Sequence, residues 1–166
     1  MTAPTPFDVR RARPGDEHDI LRLIHALATY ERAPEHVKAT PEGIAAALFG
    51  ENPRVFGHVA EIGGKVVGIA VWFFNYSTWT GRHGIYLEDL FVRPQYRGKG
   101  LGKALMARLA ARCVEEGYAR FEWSVLDWND LAKGFYRKIG ARRQTGWEPW
   151  RLDGEGLEAM KRRGGA

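Results

Sequence analysis

The chain has 166 residues, of which 45% are hydrophobic and 27% charged. This length and balance are typical of one globular domain with a substantial core, so we expect a single domain over residues 1–166, with mobile ends at 1–6 and 161–166. The lone cysteine excludes an intramolecular disulfide.

The formal net charge of +5 favours an anionic partner. Charge alone does not choose between nucleic acid and a phosphorylated cofactor. No apolar run approaches the roughly 20 residues of a membrane span, and no signal-peptide core is present, so we expect a cytoplasmic protein.

Hydrophobic periodicity and capping signals divide the chain into one continuous alternation of strands and helices. Asp16 is a candidate N-cap for the first helix. Thr40-Pro41-Glu42 places a cap, a proline and an acid at the start of the second helix, and Gly63-Gly64 predicts a tight hairpin turn. In chain order, the predicted elements are strand 7–13, a helix after Asp16, helix 44–49, strands 55–62 and 65–74, an aromatic loop at 75–82, strand 84–92, helix 101–116, strand 119–126, helix 129–139, strand 143–152 and a short helix at 155–160.

A glycine-rich turn between the strand at 84–92 and the helix at 101–116 carries the strongest functional signal. It reads Arg97-Gly98-Lys99-Gly100-Leu101-Gly102 and is followed by Lys103. The N–H groups at a helix N-terminus are unpaired, and the peptide dipoles there favour an anion. Glycines let the backbone come close to phosphate oxygens. We therefore expect a phosphate-binding loop, with a solvated turn before a surface helix as the alternative.

The glycine spacing excludes two common nucleotide loops. A Walker A loop ends in Gly-Lys-Ser/Thr, but here Ala104 follows Lys103, so no hydroxyl is present to hold magnesium. A Rossmann fingerprint needs a third glycine where Lys103 stands. The remaining pattern, Arg-x-x-Gly-x-Gly, resembles the acetyl-CoA pyrophosphate loop of the GCN5-related N-acetyltransferases (the GNAT family). The predicted order of elements is similar to that family's fold across nearly the whole chain.

Short motifs narrow this resemblance to the spermidine/spermine, or diamine, acetyltransferases. They are Ile20-Leu21-Arg22-Leu23-Ile24, Tyr30-Glu31, Tyr86-Leu87-Glu88-Asp89, Tyr96-Arg97-Gly98, Trp128-Asn129 and Phe135-Tyr136. Two further motifs resemble the thialysine branch of that subgroup, Tyr76-Ser77-Thr78-Trp79 and Leu126-Asp127-Trp128-Asn129. One departure is that the link from Trp79 to Tyr86 is one residue longer than the subgroup pattern, which affects the role of Trp79.

The resemblance implies an α/β (α+β) GNAT fold, with a mixed central β-sheet and helices on both faces. It also implies acetyl-CoA as co-substrate, no metal, and a homodimer. Coenzyme A would bind where the strands at 84–92 and 119–126 splay apart, with the pantetheine arm on strand backbone and the pyrophosphate on the glycine loop. The implied cofactor-binding residues are Leu90, Phe91, Val92, Arg97, Gly98, Lys99, Gly100, Leu101, Gly102, Lys103, Asn129, Asp130, Leu131 and Ala132. Asn129 is also a candidate N-cap.

Acetyl transfer to an amine requires a base, because an alkylammonium group with a pKa of about 10.4 is almost wholly protonated at pH 7. Glu88 is the candidate base, directly or through water, and partial burial would raise its pKa. Strand alternation places Glu88 with Tyr86, Leu90 and Val92, and puts Leu87, Asp89 and Phe91 on the other face. The alternative for Glu88 is a solvated or ion-paired carboxylate at a strand edge.

Departure of the coenzyme A thiolate requires an acid, for which Tyr136 is the candidate. Its phenol is protonated at neutral pH, and the resemblance places a tyrosine at this point near the thioester sulfur. The alternative is an aromatic residue that fills the core beside Phe135.

The acceptor would be a small amine whose second cation is held by carboxylates. The resemblance implies Tyr30, Glu31, Glu88, Glu122, Trp123 and Ser124 as substrate-binding residues, with Asp89 and Trp79 as further candidates. We therefore expect an N-acetyltransferase acting on a diamine, a polyamine or a thialysine-like amine, with no nucleic-acid or membrane partner. The alternatives are an acetyltransferase for protein or peptide amines, and a non-catalytic module that senses coenzyme A or binds nucleic acid.

Overall fold

The computed structural model describes residues 6–164, so most of the predicted mobile N-terminal end and the last two residues lie outside it. The chain divides into two compact units, and the boundary along the sequence lies between Asn129 and Asp130. The single domain expected over residues 1–166 stays a prediction. Within residues 6–164, none of the helices has the length and apolar character needed to span a membrane.

The first unit is built on a five-stranded sheet whose spatial order follows the sequence. The strands are β1 (Asp8–Arg11), β2 (Phe56–Ile62), β3 (Lys65–Ser77), β4 (Arg82–Val92) and β5 (Phe121–Trp123). Strands β1 to β4 pair antiparallel, whereas β4 and β5 are parallel. A parallel pair needs a crossover, which α3 (Leu101–Glu115) supplies. The predicted mixed sheet is confirmed.

Helices cover both faces of this sheet. On one face, α1 (Glu17–Tyr30) and α2 (Pro41–Phe49) bury Ile20, Leu23 and Leu48 against Val59, Ile69 and Val71. Full burial of such a side chain is worth about 1.5–3 kcal/mol. On the other face, Arg112 of α3 lies 5.3 Å from the ring centre of Trp72. Because Val71 and Trp72 are consecutive in one strand, they leave opposite faces. The predicted α/β (α+β) architecture, with helices on both faces, is confirmed.

Capping at the two N-terminal helices differs from one helix to the next. Thr40 Oγ1 accepts a hydrogen bond from the Gly43 N–H at 3.1 Å, as the sequence predicts for a cap. Asp16 precedes α1 but makes no side-chain cap. Its carboxylate instead binds the Arg10 guanidinium at 2.7 and 2.9 Å and the Arg13 N–H at 2.9 Å. Burial alone would raise the pKa of Asp16, but these hydrogen bonds outweigh it and lower that pKa.

Two predicted boundaries around β4 are wrong. Four of the eight residues in the aromatic loop expected at 75–82 belong to strands, because β3 runs to Ser77 and β4 starts at Arg82. Aromatic side chains are stable in strands, where they contact across the pair. Conversely, the strand expected at 119–126 is reduced to Phe121–Trp123, because pairing with β4 ends where Leu87 meets Trp123.

The second unit contains α4 (Asp130–Lys138) and α5 (Gly154–Arg163). The strand predicted at 143–152 is wrong, because residues 141–153 form neither helix nor strand. A strand needs a partner for its backbone groups, and the described part of this unit contains no other strand. The basic residues Lys161, Arg162 and Arg163 form the last turn of α5.

Candidate active site

A β-bulge in β4 lies at the centre of the candidate site. The register with β3 changes by one residue, because Val71 pairs with Asp89 whereas Trp72 pairs with Leu87. Glu88 is therefore the extra residue of a bulge. The predicted alternation is wrong from this point, since Leu87 and Asp89 leave opposite faces. Glu88 is exposed, so the expected partial burial of this side chain is also wrong.

Acidic residues at the bulge of β4 and at the end of α1 influence one another electrostatically. Burial, followed by the charges of Glu88 and Glu31, raises the pKa of Asp89 to about 6. Burial also raises the pKa of Glu31, the residue directly after α1. These three residues form what we call the carboxylate cluster. Sequence reasoning placed the perturbed carboxyl at Glu88, but the structure places it at Asp89. The signal for it was two consecutive acids in an otherwise apolar strand.

The edge of β4 that faces β5 is open beyond the bulge. Among the described residues, β5 pairs with β4 only as far as Leu87. Leu90, Phe91 and Val92 continue their pairing with β3 on the other side. Their second edge therefore has the unpaired backbone that an extended ligand pairs with in strand addition.

The glycine loop joins this open edge to α3. Gly98 and Gly100 have φ values of +75° and +90°, and a Cβ at either position would meet no atom within 4 Å. The first bond inside α3 runs from the Ala104 N–H to the Gly100 carbonyl at 2.9 Å. The N–H groups of residues 101–103 precede that bond, and among the described residues no side chain caps this end. The loop therefore presents an open nest of backbone donors, which fits the pyrophosphate of coenzyme A.

The basic side chains of this loop differ in their surroundings. Arg97 Nε donates to the Val92 carbonyl at 2.9 Å, and its guanidinium lies over the rings of Tyr30 and Phe91, at 5.2 and 5.4 Å. The Lys99 ammonium lies 5.6 Å from the ring centre of Tyr96. The Arg97 side chain is thus held by contacts with β4 and α1.

The end of α1 also contacts the segment before α4. The Tyr30 hydroxyl donates to Asn129 Oδ1 at 3.2 Å, and the Tyr30 ring lies 6.0 Å from the ring of Trp128. Arg32 lies 4.6 Å over that same Trp128 ring. Asn129 is buried. Asn129, which is predicted to line the pantetheine arm, is therefore held by Tyr30, a predicted substrate-binding residue.

The predicted substrate residues in β5 and directly after it already have protein partners. Glu122 accepts a hydrogen bond from Asn75 Nδ2 at 2.9 Å and lies 3.5 Å from Arg120 Nε. Ser124 and the Tyr86 hydroxyl are 2.8 Å apart. The Trp123 ring lies 5.1 Å from that of Phe121. These contacts fix the orientation of the β5 side chains.

The remaining predicted residues lie on α4 in the second unit. Tyr136 is half-buried, and its ring lies 5.4 Å from that of Phe135. Asp130 is exposed and lies 3.7 Å from Lys133 Nζ. Asp130, Leu131 and Ala132 form the first turn of the helix. Helical spacing therefore separates Tyr136 from Ala132 by about one turn.

Known proteins share both the sequence and the fold. Residues 20–141 match the acetyltransferase (GNAT) family. A thialysine N-epsilon-acetyltransferase of Sus scrofa is 41% identical over 163 residues, covering 92% of this chain and 95% of that protein. An L-ornithine N5-acetyltransferase of Arabidopsis thaliana is 30% identical, covering 92% and 86%. A solved integron cassette protein of V. cholerae has a TM-score of 0.76 and 28% identity, covering 93% and 97% of the two chains.

The fold, the glycine loop and these matches define the class of the protein, which is an acetyl-CoA-dependent N-acetyltransferase. The chain belongs to the acetyltransferase (GNAT) family. The resemblance that the short motifs indicated, including the thialysine branch, is confirmed. The non-catalytic alternatives are set aside by this result.

Proposed function

We propose that this enzyme acetylates a primary amine of a small diamine, a polyamine or a thialysine-like amino acid. The observation that carries the proposal is the carboxylate cluster, Glu31, Glu88 and Asp89, in a protein of net charge +5. Burial, followed by repulsion from Glu88 and Glu31, raises the pKa of Asp89 to about 6. A cation placed among these groups relieves the repulsion, so the cluster favours an acceptor with a second ammonium group.

The comparisons support this choice of acceptor. The relatives described above are named for thialysine and L-ornithine, and both compounds are amino acids with an amine at the end of the side chain. An enzyme for protein amines needs an open groove without acidic closure near Glu31. The effect of Glu31 on the Asp89 pKa supports an acidic closure, and so a small substrate.

Acetyl-CoA, when bound, supplies the acetyl thioester, and the first unit offers two surfaces for it. The N–H groups of residues 98–103 would bind the pyrophosphate. The open edge of Leu90, Phe91 and Val92 would pair with the pantetheine amides. Asn129, Asp130, Leu131 and Ala132 would line the pantetheine arm. The described residues contain no group of acidic, His or Cys side chains arranged as metal ligands, and metal independence stays a prediction.

Four side chains would share the transfer of protons and the binding of the substrate's charge. Glu88, exposed on the bulge, takes the proton from the acceptor ammonium through a water molecule. Asp89 and Glu31 hold the second cation and orient the reacting nitrogen. Tyr136 gives a proton to the departing sulfur, since a phenol is protonated at neutral pH.

A thiol-release assay with acetyl-CoA tests the acceptor. The panel contains thialysine, ornithine, lysine, putrescine, spermidine and a lysine-containing peptide, with a monoamine of equal length as the matched control. We expect the diamines and diamino acids to be turned over with a KM at least about tenfold below that of the monoamine, because a charge-assisted contact is lost. Equal KM values, or preference for the peptide, would overturn the proposal. The homodimer, the cytoplasmic location and the lack of nucleic-acid and membrane partners stay predictions.

A further inference from the structure

Three groups contact the side chain of Arg97. Its Nε donates to the carbonyl of Val92, the last residue of β4, at 2.9 Å. Its guanidinium carbon lies 5.4 Å from the ring centre of Phe91 and 5.2 Å from that of Tyr30. A planar cation held by aromatic rings and by a backbone carbonyl is well oriented.

These contacts differ from the role that the sequence suggests. A basic residue at the start of a phosphate loop is expected to reach toward the phosphates. Here the guanidinium binds the end of β4 and the end of α1. The backbone of residue 97 still belongs to the loop, but its side chain stabilises the surrounding scaffold.

The contacts continue from Arg97 to the acceptor side. Tyr30 is followed directly by Glu31, whose charge contributes to the raised pKa of Asp89. The Tyr30 hydroxyl also holds Asn129, and its ring lies 6.0 Å from that of Trp128. One guanidinium thus links the glycine loop to the helix end that carries part of the carboxylate cluster.

We propose that Arg97 is a positioning residue that couples donor binding at the glycine loop to acceptor binding at the carboxylate cluster. The coupling acts through Tyr30, because both Arg97 and Glu31 depend on where that ring lies. This inference rests on the proposed function in assigning the carboxylate cluster to the acceptor. Coenzyme A bound at the loop would stabilise the conformation in which Arg97 contacts Val92, Phe91 and Tyr30, and these contacts hold the end of α1.

The kinetic test compares Arg97→Lys with Arg97→Gln. Lysine keeps the charge but lacks the planar group and the Nε donor. A positioning role predicts that both variants raise the amine KM about tenfold, as for loss of a charge-assisted hydrogen bond, while the Kd for coenzyme A changes less than about threefold. A phosphate-binding role predicts the opposite. Arg97→Lys would then behave like the wild type, and Arg97→Gln would lose coenzyme A affinity, which would overturn the proposal.

Two further variants make the kinetic result specific. Arg108→Lys is the matched control, because Arg108 also donates to a backbone carbonyl, that of Val9, at 3.3 Å. We expect it to leave the amine KM unchanged. Tyr30→Leu removes the ring that transmits the effect, so combining it with Arg97→Gln should raise the amine KM no further than either change alone. Additive effects would contradict transmission through Tyr30.

A binding measurement tests the coupling without turnover. Trp128 lies beside Tyr30, so its fluorescence, defined by difference against Trp128→Phe, reports on the end of α1. We expect addition of coenzyme A to change this signal in the wild type and not in Arg97→Lys or Arg97→Gln, although both bind coenzyme A. A signal that persists in the variants, or is absent in the wild type, overturns the inference. If no small amine is turned over, the proposed function fails, and this measurement still decides the role of Arg97.

Discussion

In the proposed function, the glycine loop and the carboxylate cluster would recognise opposite charges by different physical means. The loop presents backbone N–H groups at the start of α3, and its chemistry depends on Gly98 and Gly100 having positive φ values. The cluster depends on side chains from two distant segments, Glu31 after α1 and Asp89 at the bulge of β4. The proposed donor site therefore depends on a local backbone conformation, and the proposed acceptor site depends on a tertiary arrangement of charges.

The largest expected effect separates chemistry from binding within the cluster. Replacing the proposed base by Glu88→Gln should lower kcat by about 10²- to 10⁴-fold, as is typical for loss of a general base. The change should leave the Kd for coenzyme A unchanged, as measured by calorimetry. Glu115→Gln, at an exposed carboxylate in the last turn of α3, is the control. A kcat near the wild-type value would remove Glu88 from the mechanism.

Removal of the proposed acid should also lower kcat, but by less than removal of the proposed base. Tyr136→Phe removes only the hydroxyl, and we expect kcat to fall about 10²-fold with little change in either KM. The basic limb of the pH–rate profile should disappear with it. Phe135→Leu is a control for packing beside this ring. Retention of the basic limb in Tyr136→Phe would show that another group protonates the sulfur.

The loop can be tested by a change that affects the donor alone. At Gly100, where φ is +90°, any Cβ is strained, so Gly100→Ala should weaken coenzyme A binding about tenfold as the loop changes shape. The matched control is Gly64→Ala in the β2–β3 turn, where φ is +77° and the space is equally open. Both variants should lose similar stability in thermal unfolding. Equal coenzyme A affinity in the two would show that the loop does not bind the donor.

Removal of a charge from the carboxylate cluster should weaken binding of the amine and not of coenzyme A. Asp89→Asn removes one charge from the cluster, and we expect the amine KM to rise about tenfold while the Kd for coenzyme A stays constant. Asp8→Asn, at the exposed start of β1, is the control. A change in coenzyme A affinity with an unchanged amine KM would place Asp89 on the donor side and contradict the division of labour.

A separate effect concerns the dependence of stability on pH. The Asp89 pKa rises from 3.8 to about 6 on folding, so its ionisation disfavours the folded state. The penalty is absent below about pH 4 and complete above about pH 6, and it amounts to about 3 kcal/mol at most. Asp89→Asn should therefore melt above the wild type at pH 8 and near it at pH 4. Asp16, whose pKa is lowered, gives the opposite sign, so Asp16→Asn should destabilise most at neutral pH.

The sequence predicted the conformation of the glycine loop better than that of the carboxylate cluster for a physical reason. Gly98, Gly100 and the start of α3 are encoded by adjacent residues, so spacing alone indicates the loop. The bulge at Glu88 depends on how β4 pairs with β3, which alternation within one strand does not reveal. The exposure of Glu88 and the raised pKa of Asp89 both follow from that register.

The same difference between local signals and long-range pairing explains which predicted elements are wrong. Caps and hairpin turns such as Thr40 and Gly63-Gly64 are local, and they lie where the sequence predicts them. The length of a strand, in contrast, depends on the neighbouring strand with which it pairs. The third and fourth strands extend through 75–77 and 82–83 because they pair with each other, whereas residues 143–152 have no strand partner in their unit and form no strand.

The open edge of β4 also bears on how long the enzyme persists. An unpaired edge is a template for wrong partners, including the edge of another molecule, and its exposure promotes aggregation. A ligand that binds only the folded chain stabilises it in proportion to the logarithm of its concentration over Kd. An acetyl donor that pairs with residues 90–92 would therefore stabilise the folded enzyme and protect it from aggregation. The amount of enzyme that survives would then follow the supply of acetyl-CoA.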